Sequence, residues 1–238
     1  MNEAVVLTSE RILEVTEDVL RRYGLAKATV VDVARALDVS HGSVYRHFPS
    51  KASLREAVAK RWLERVSKPL AQIAAEPGPA PAKLERWLRE LFGAKHKRVC
   101  EDPEMFATYL TLAREACSVV KAHKQDLIAQ VEGIIAEGVA QGAFDVADPK
   151  TAAAAIFDAT RSFHHPAHAD EWGECTCSAR VDAVLTLLLR GLQARYPTGT
   201  RPVGELSLQA SDVRVATLSL QRHCARSDAI QGVSKGWA

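Results

Sequence analysis

The sequence contains few aromatic residues, which make up 6% of the chain, and has no apolar run of the roughly 20 residues that span a bilayer. Its N-terminal stretch, Met1–Glu10, lacks the basic-then-apolar order of a secretory signal peptide. Its five cysteines are odd in number and show no spacing typical of a disulfide framework. These absences predict a cytoplasmic protein with reduced thiols and no membrane contact.

The composition and the spacing of apolar residues both favour helices. Hydrophobic residues make up 47% and charged residues 25% of the chain, as in ordinary globular proteins. No stretch alternates apolar and polar residues as strands do, and no internal repeat is present. The sequence therefore predicts an all-α fold of about nine helices. The net charge is only +2, so the total charge does not by itself indicate a nucleic-acid partner.

The first helix is predicted over Ser9–Tyr23. Its apolar positions recur at helical spacing and form one stripe: Ile12, Thr16, Val19, Leu20 and Tyr23. Thr8 or Ser9 can cap the start of this helix, and Gly24 can end it in a left-handed conformation.

Two short helices and a second long helix are predicted next. Thr29 can cap the first short helix, and Asp32, three residues later, resembles its partner in a capping box. Ser40 can cap the second short helix, which ends before Pro49. The long helix then runs over Lys51–Ala75.

The segment 76–81 contains three prolines and one glycine and is predicted to be a loop. Further helices are predicted over Lys83–Lys97, Pro103–Cys117, Val119–Gln141, Asp148–Phe163 and Ser178–Tyr196. The segment His164–Cys177 is predicted to be irregular, and residues 197–238 are predicted to form a poorly ordered tail.

The second short helix carries the most informative pattern. Val44 and Phe48 lie four positions apart and are predicted to face inward. The outward face has small, hydrogen-bonding, aromatic and cationic side chains: Gly42, Ser43, Tyr45 and Arg46. Such a face suits the major groove of DNA, which admits one helix. Gly42 costs roughly 1 kcal/mol of helix stability relative to alanine, and close approach to DNA would explain that cost. The alternative is a helical hairpin whose polar residues are merely solvated.

Charges near this helix also suit DNA. Thr29 and Lys51 lie at helix N-termini, where free N–H groups and the helix dipole favour a phosphate. Between Arg35 and Arg61 there are six basic residues and only two acidic ones. The near-neutral total therefore conceals a predicted basic patch: Arg35, Arg46, Lys51, Arg55, Lys60 and Arg61.

Residues 9–55 resemble the DNA-binding domain of the TetR (tetracycline-repressor) family of transcriptional regulators. The resemblance rests on Thr29 at the start of a helix and on Val39-Ser-x-Gly-Ser-Val-Tyr-x-His-Phe-x-Ser-Lys51, followed by Leu54. It implies that Thr29, Tyr45, His47 and Lys51 contact the DNA backbone, and that His41, Ser43 and Arg46 contact bases. The full predicted DNA-binding set is Thr29, Ser40, His41, Gly42, Ser43, Tyr45, Arg46, His47 and Lys51.

The resemblance also implies a domain organisation and a mode of action. Residues 1–55 form a three-helix helix-turn-helix domain, and residues 56–196 form a helical domain that binds a small-molecule effector and pairs two chains. The chain would act as a ligand-responsive regulator, most simply a repressor, on an inverted-repeat operator in double-stranded DNA. The helices near 148–163 and 178–196 are expected to pair in a homodimer, although their apolar faces suit packing within one chain equally well.

An effector pocket is expected to combine apolar walls with a few polar groups. The predicted contacts are Trp62, Trp87, Met105, Phe106, Tyr109, Arg114, Phe157, Arg161 and His164, with Phe92, Thr108 and Phe163 as further candidates. For each aromatic side chain, a place in the plain core is the favoured interpretation over contact with an effector, and the sequence does not identify the effector.

The segment from His164 to Cys177 contains histidines, carboxylates and two cysteines, which are side chains that bind zinc. Their spacing matches no standard zinc motif, so a solvated loop is the favoured interpretation, and no metal or cofactor is predicted. Cys100 and Cys117 are predicted to be small core residues. Two other classes of function stay open: a helical enzyme that uses the His164–Cys177 region, and an adaptor that binds protein instead of DNA. No nucleophile–base pair can be assembled for the enzyme.

Overall fold

A computed structural model describes residues 7–172 and 177–193. Over these residues the chain forms ten α-helices, one 3₁₀ helix and no strand, which confirms the predicted all-α class. The elements are α1 (Ser9–Lys27), α2 (Val30–Ala36), α3 (His41–His47), α4 (Lys51–Ala75), α5 (Ala80–Glu101), α6 (Pro103–Glu115), α7 (Cys117–Ala140), α8 (Pro149–Ala159), α9 (Arg161–His164), the 3₁₀ helix (Pro166–Glu171) and α10 (Cys177–Gln193). No helix in these two ranges is long and apolar enough to cross a membrane. The predicted tail, 197–238, lies outside the described residues.

Helix α1 begins where the sequence predicts but extends past its predicted end. The Thr8 hydroxyl caps it by accepting a hydrogen bond from the Arg11 N–H at 3.2 Å. Gly24 interrupts the regular helix with φ 72° and ψ 163°, a conformation that glycine adopts readily, and a short helical segment then continues to Lys27. Tyr23, predicted to lie in the apolar stripe, is exposed, because it falls at the edge of the buried face.

Helices α2 and α3 begin at the capping residues that the sequence predicts. The capping box is present: Thr29 Oγ1 accepts from the Asp32 N–H at 3.2 Å, and the Asp32 carboxylate accepts from the Thr29 N–H at 3.0 Å. Asp38 takes up a positive φ of 55°, which aspartate tolerates better than most residues. The Ser40 hydroxyl then caps α3 by accepting from the Ser43 N–H at 3.2 Å. These caps fix the relative directions of the two short helices.

Three later predictions need correction. Ala80 and Pro81 belong to α5 and not to the predicted loop, because proline is tolerated in the first turn of a helix. The helix predicted over 148–163 is two helices, α8 and α9, separated at Thr160, whose buried hydroxyl donates to the Ile156 carbonyl at 2.8 Å. Cys100 and Cys117 are exposed, since both lie on solvent-facing sides of helix ends.

The described helices pack around two main apolar cores. The first joins α1–α4 with the end of α6 through Ile12, Val15, Val19, Val33, Val44, Leu54, Val58, Leu112 and Ala116. The second joins the rest of α4 with α5, α7, α8, α9 and α10 through Leu70, Leu84, Leu88, Leu91, Leu127, Val131, Ile134, Ile156 and Leu185. Helix α4 belongs to both cores and therefore links the predicted DNA-binding and effector domains without a break.

Ion pairs reinforce the contact between the two cores. The buried carboxylate of Glu17 in α1 accepts from Arg65 of α4 at 2.7 Å, and its other oxygen lies 3.7 Å from Nε of Arg61. The ends of α6 are also bound to the first core, by an ion pair between Arg21 and Asp102 at 3.2 Å and by one between Arg55 and Glu115. These pairs join α4 to α1, and the two ends of α6 to α1 and α4.

Candidate nucleic-acid interface

Helix α3 is held in place by one side chain and presents the others outward. Val44 is 1% exposed and packs in the first core, with the half-buried Phe48 beside it. Tyr45 is 41% exposed, a large fraction for an aromatic side chain on a monomeric surface. His41, Gly42, Arg46 and His47 are also exposed, and Ser43 is half-buried. The outward face is therefore the polar and aromatic face that the sequence predicts.

The protein interior gives no reason for a glycine at position 42. A Cβ atom built there would meet only Ser40 Oγ, at the ordinary contact distance of 3.7 Å. The backbone of Gly42 is helical and does not need the freedom of glycine. What the glycine provides is an uncovered stretch of helix backbone that another molecule can approach closely.

Hydrogen bonds order the polar side chains of α3. Arg46 donates to Ser43 Oγ at 3.0 Å, and Ser43 Oγ lies 2.9 Å from Ser40 Oγ. His47 Nδ1 lies 3.1 Å from Ser9 Oγ at the start of α1. The Arg46 guanidinium keeps four further N–H donors, enough for a bidentate contact to a guanine edge.

The two predicted phosphate contacts differ in their surroundings. Thr29 is exposed, but its hydroxyl donates to Asp32 Oδ2 at 2.6 Å, and the hydrogen bonds from Thr29 hold the pKa of the Asp32 carboxyl below its usual range. Lys51 is the exposed first residue of α4, a helix of 25 residues capped by Ser50. Lys51 therefore adds a mobile ammonium to the positive end of a long helix dipole.

The predicted basic patch is smaller than its residue count indicates. Arg55 pairs with Glu115 at 3.0 Å, and Arg61, only 15% exposed, contacts Glu10 at 3.1 Å. Arg35 and Lys60 also have carboxylate partners in neighbouring turns of their own helices. Among the described residues, only Arg46 and Lys51 of the six have no carboxylate partner. These two cations lie on α3 and at the start of α4.

The predicted effector contacts do not form one site. Trp62, Met105, Phe106 and Tyr109 cluster where α4 meets α6, with the Trp62 and Tyr109 rings stacked at 3.6 Å. Three of them line a cavity of about 130 Å³ that also contacts Arg98. Burial raises the pKa of the Tyr109 phenol, which stays neutral. This junction group borders Glu17 and Arg21 of α1.

A second group lies inside the second core. The Phe157 and His164 rings are 4.3 Å apart, and His164 Nε2 donates to the Phe157 carbonyl at 3.0 Å. The ring of Phe92 packs 5.3 Å from that of Phe163 and 6.3 Å from that of His164. These rings form an aromatic wall between α5, α8 and α9.

Four other candidates stand apart from both groups. Trp87 is fully buried, and its indole N–H donates to Gln130 Oε1 at 3.0 Å, as in an ordinary core tryptophan. Arg114 and Arg161 are exposed near helix ends, because neither has a buried carboxylate that would offset the cost of desolvating a guanidinium. Thr108 is half-buried on α6.

Two polar residues near the aromatic wall were not predicted. Lys95 of α5 is only 7% exposed, and His123 of α7 has a buried Nε2 with no hydrogen-bond partner among the described residues. Burial lowers the pKa of Lys95 to about 8, and burial together with the Lys95 ammonium lowers that of His123 to about 3. Helical spacing in the sequence indicates the burial of both residues. Lys95 continues the apolar stripe of Leu88 and Leu91, and His123 precedes Leu127 on the apolar stripe of its own helix.

The helices predicted to pair two chains keep part of their apolar surface uncovered. On α10, Leu185 packs in the second core, but Leu187 is 71% exposed and Val184 is half-buried. On α8, the small residues Ala155 and Ala159 are exposed.

The histidine-rich segment is partly described. His164 is buried in the aromatic wall, whereas His168 lies near the surface, 3.0 Å from Glu171. Within 7–172 and 177–193, no group of three or more histidine, cysteine or acidic side chains could hold a metal ion. Cys175 and the side chain of Cys177 lie outside the described residues.

Comparisons with known proteins agree with this geometry. The family model described as "Bacterial regulatory proteins, tetR family" matches residues 12–58, and that described as "Tetracyclin repressor-like, C-terminal domain" matches residues 80–185. A search of curated proteins found no match.

Solved structures share the fold at low sequence identity. SmeT, the repressor of the Stenotrophomonas maltophilia multidrug efflux pump SmeDEF, is 17% identical over 84% of this chain and 98% of its own, with a TM-score of 0.59. A TetR transcription regulator from Haloarcula marismortui is 17% identical over 78% of this chain and 98% of its own, with a TM-score of 0.59. A TetR/AcrR regulator from Thermobifida fusca is 20% identical over the same shares, with a TM-score of 0.56. The matches to both family models show that the chain belongs to the TetR family of transcriptional regulators, which bind DNA and respond to ligands.

Proposed function

We propose that this chain is a ligand-responsive repressor that binds an inverted-repeat operator as a homodimer and leaves it when a small-molecule effector binds. Residues 1–55 would bind DNA, and residues 56–196 would bind the effector and pair the chains. The observation that carries the proposal is the outward face of α3. It is exposed, polar and aromatic, and its glycine serves no purpose in the protein interior.

The DNA contacts divide into two kinds. His41, Ser43 and Arg46 would contact base edges in the major groove, where a guanidinium can bind guanine bidentately. The backbone contacts would come from Thr29, Tyr45, His47 and Lys51, while Ser40 and Gly42 allow close approach of the helix. Backbone contacts supply affinity and position the helix, and base contacts supply the sequence preference.

A two-fold dimer would place two copies of α3 in successive major grooves, about 34 Å apart. The uncovered side of α10, with Leu187 and Val184, and the small residues of α8 support pairing through these helices. Burying an exposed leucine between two chains removes apolar surface from water on both sides. The two-fold axis would make the operator an inverted repeat.

The effector would act by shifting the separation of the two α3 helices. A ligand changes this equilibrium only if it binds the DNA-incompetent arrangement more tightly than the competent one. A ligand in the second core would contact α5, α8 and α9, and the junction between α4 and α6 would pass the movement to α1–α3. The ion pairs of Arg21 with Asp102 and of Glu17 with Arg65 support this route.

The test is selection of bound DNA from a random pool, followed by a salt titration on the selected sequence. The pool should yield an inverted repeat, and the logarithm of affinity should fall linearly with that of the salt concentration. Lys51→Ala should weaken binding and reduce the salt slope by about one. The matched control is Lys68→Ala, an exposed lysine of the same helix that pairs with Glu64 at 2.9 Å. No enrichment of any sequence, or equal losses in both variants, would contradict the proposal and favour an adaptor or an enzyme.

A further inference from the structure

The second core is bordered by a buried lysine side chain, Lys95, whose ammonium has no counter-ion among the described residues. Lys95 is on the inward side of α5, one turn after Phe92, and makes no hydrogen bond or ion pair with any described residue. Removing an ammonium from water costs several kcal/mol unless a partner offsets the loss. A cost of this size calls for a reason beyond packing.

Three imidazoles lie within electrostatic range of this ammonium, those of His123, His164 and His165. The Lys95 charge lowers the pKa of both His123 and His164, to about 3 and about 4, together with burial, which is the larger cause. Both rings are therefore neutral at pH 7. Because His164 Nε2 donates to the Phe157 carbonyl, its ring orientation is fixed, whereas His123 Nε2 has no described partner.

Within the described ranges, the charged groups that act on Lys95, His123 and His164 are all basic. Arg98 acts on Lys95, while Lys124 and His165 act on His164. Lys124 has its own partner, Asp158, at 3.5 Å. No carboxylate of the described residues contributes to the pKa of Lys95, His123 or His164. The site therefore has an excess of positive charge and an unused imidazole nitrogen.

Beside this polar group lies the aromatic wall of Phe92, Phe157 and Phe163. An anion with an apolar body satisfies both halves of the site, because its charge would pair with the ammonium and its body would pack on the rings. A single ammonium suits a carboxylate, whereas phosphate sites more often use the forked donors of arginine.

We propose that the effector is a small organic acid whose carboxylate binds Lys95 and His123 Nε2 and whose apolar body packs on Phe92, Phe157 and Phe163. This inference rests on the proposed function for its regulatory meaning. The binding site itself is defined by the side chains and can be tested without DNA.

The probe is 8-anilinonaphthalene-1-sulfonate, an aromatic anion whose fluorescence rises in apolar sites. The wild-type chain should bind it saturably, and Lys95→Met should weaken binding at least tenfold, because methionine keeps the volume and removes the charge. The matched control, Lys97→Met, changes an exposed lysine of the same helix that lies 3.7 Å from Glu101, and should bind the probe like the wild type. Equal affinity in Lys95→Met and the wild type, or no saturable binding, overturns the proposal.

A pH titration of the wild type gives a second measurement that needs no variant. The pKa of about 8 for Lys95 means that the ammonium is lost between pH 7 and 9.5, while His123 and His164, with pKa values of about 3 and about 4, stay neutral. The other basic groups that act on Lys95 or His164 are Arg98, Lys124 and His165. Probe affinity should therefore fall by about tenfold or more over this range. Constant affinity contradicts a role for Lys95.

Operator binding by the same proteins separates the two proposals. If Lys95→Met binds operator normally but is no longer released by the probe, both proposals are supported. If the operator is bound but probe affinity does not depend on Lys95, only the acid site is wrong. If no DNA is bound while probe affinity depends on Lys95, the acid site stands and the proposed function fails.

Discussion

Replacing Gly42 by alanine is expected to stabilise the fold and weaken DNA binding at the same time. The new Cβ would lie 3.7 Å from Ser40 Oγ, so it meets no obstacle within the protein. Alanine should stabilise the helix by about 0.5–1 kcal/mol relative to glycine. At the DNA surface, however, the added methyl group would enter a close contact. Overpacking of that kind costs about 1–3 kcal/mol, equivalent to roughly 5- to 150-fold in affinity.

Two measurements check this prediction. Urea denaturation gives the change in the free energy of unfolding, and fluorescence anisotropy with the selected operator gives the change in affinity. The matched control is Gly133→Ala in α7, where a Cβ would meet nothing within 4 Å. This control should gain similar stability without losing affinity. If Gly42→Ala binds operator as tightly as the wild type, the backbone of α3 does not approach DNA closely, and the docking of this helix is wrong.

Three further predictions follow from the side chains described above. Arg46→Ala should relax the preference at one base pair by about 1–3 kcal/mol, measured by repeating the DNA selection; an unchanged preference would mean that Arg46 contacts only the backbone. Burial lowers the pKa of His164 to about 4, so between pH 6.5 and 4 the unfolded chain binds a proton that the folded chain does not. Lowering the pH from 7 to 5 should therefore cost about 2 kcal/mol of stability through this residue, and His164→Gln should show a correspondingly smaller loss in urea titrations at the two pH values; equal losses would refute burial of a neutral ring. Leu187→Ser should weaken the proposed dimer in analytical ultracentrifugation without unfolding the monomer, because the side chain is exposed in the single chain; an unchanged dissociation constant would place the interface elsewhere.

Local signals made the DNA-binding helices predictable. Thr29 and Ser40 cap α2 and α3 through hydrogen bonds to residues three positions away, so the information lies within a few residues of sequence. The inward position of Val44 likewise follows from helical periodicity alone. A functional reason for Gly42 could also be predicted from the sequence, because glycine destabilises a helix interior and nothing nearby in the sequence favours it there.

Side-chain pairing across the fold was not predictable in this way. Arg55 and Arg61 add to a charge count in the sequence, but their partners, Glu115 and Glu10, are 60 and 51 residues away along the chain. Only the packing of α4 against α1 and α6 brings these groups together. The burial of Lys95 follows from its place in an apolar stripe, but residue type alone argues against it, because lysine side chains are almost always exposed.

The pairing of Glu17 with Arg65 has a consequence for engineering hybrid regulators. A chimera joined at residue 55 would take Glu17 of α1 from one parent. Arg65, whose guanidinium neutralises the buried Glu17 carboxylate, would come from the other parent. Leaving a buried carboxylate without its ion-pair partner costs about 3–5 kcal/mol, a large part of the stability of most domains. A DNA-binding domain moved into another regulator should therefore include α4 at least as far as Arg65, or have Glu17 replaced by a neutral residue.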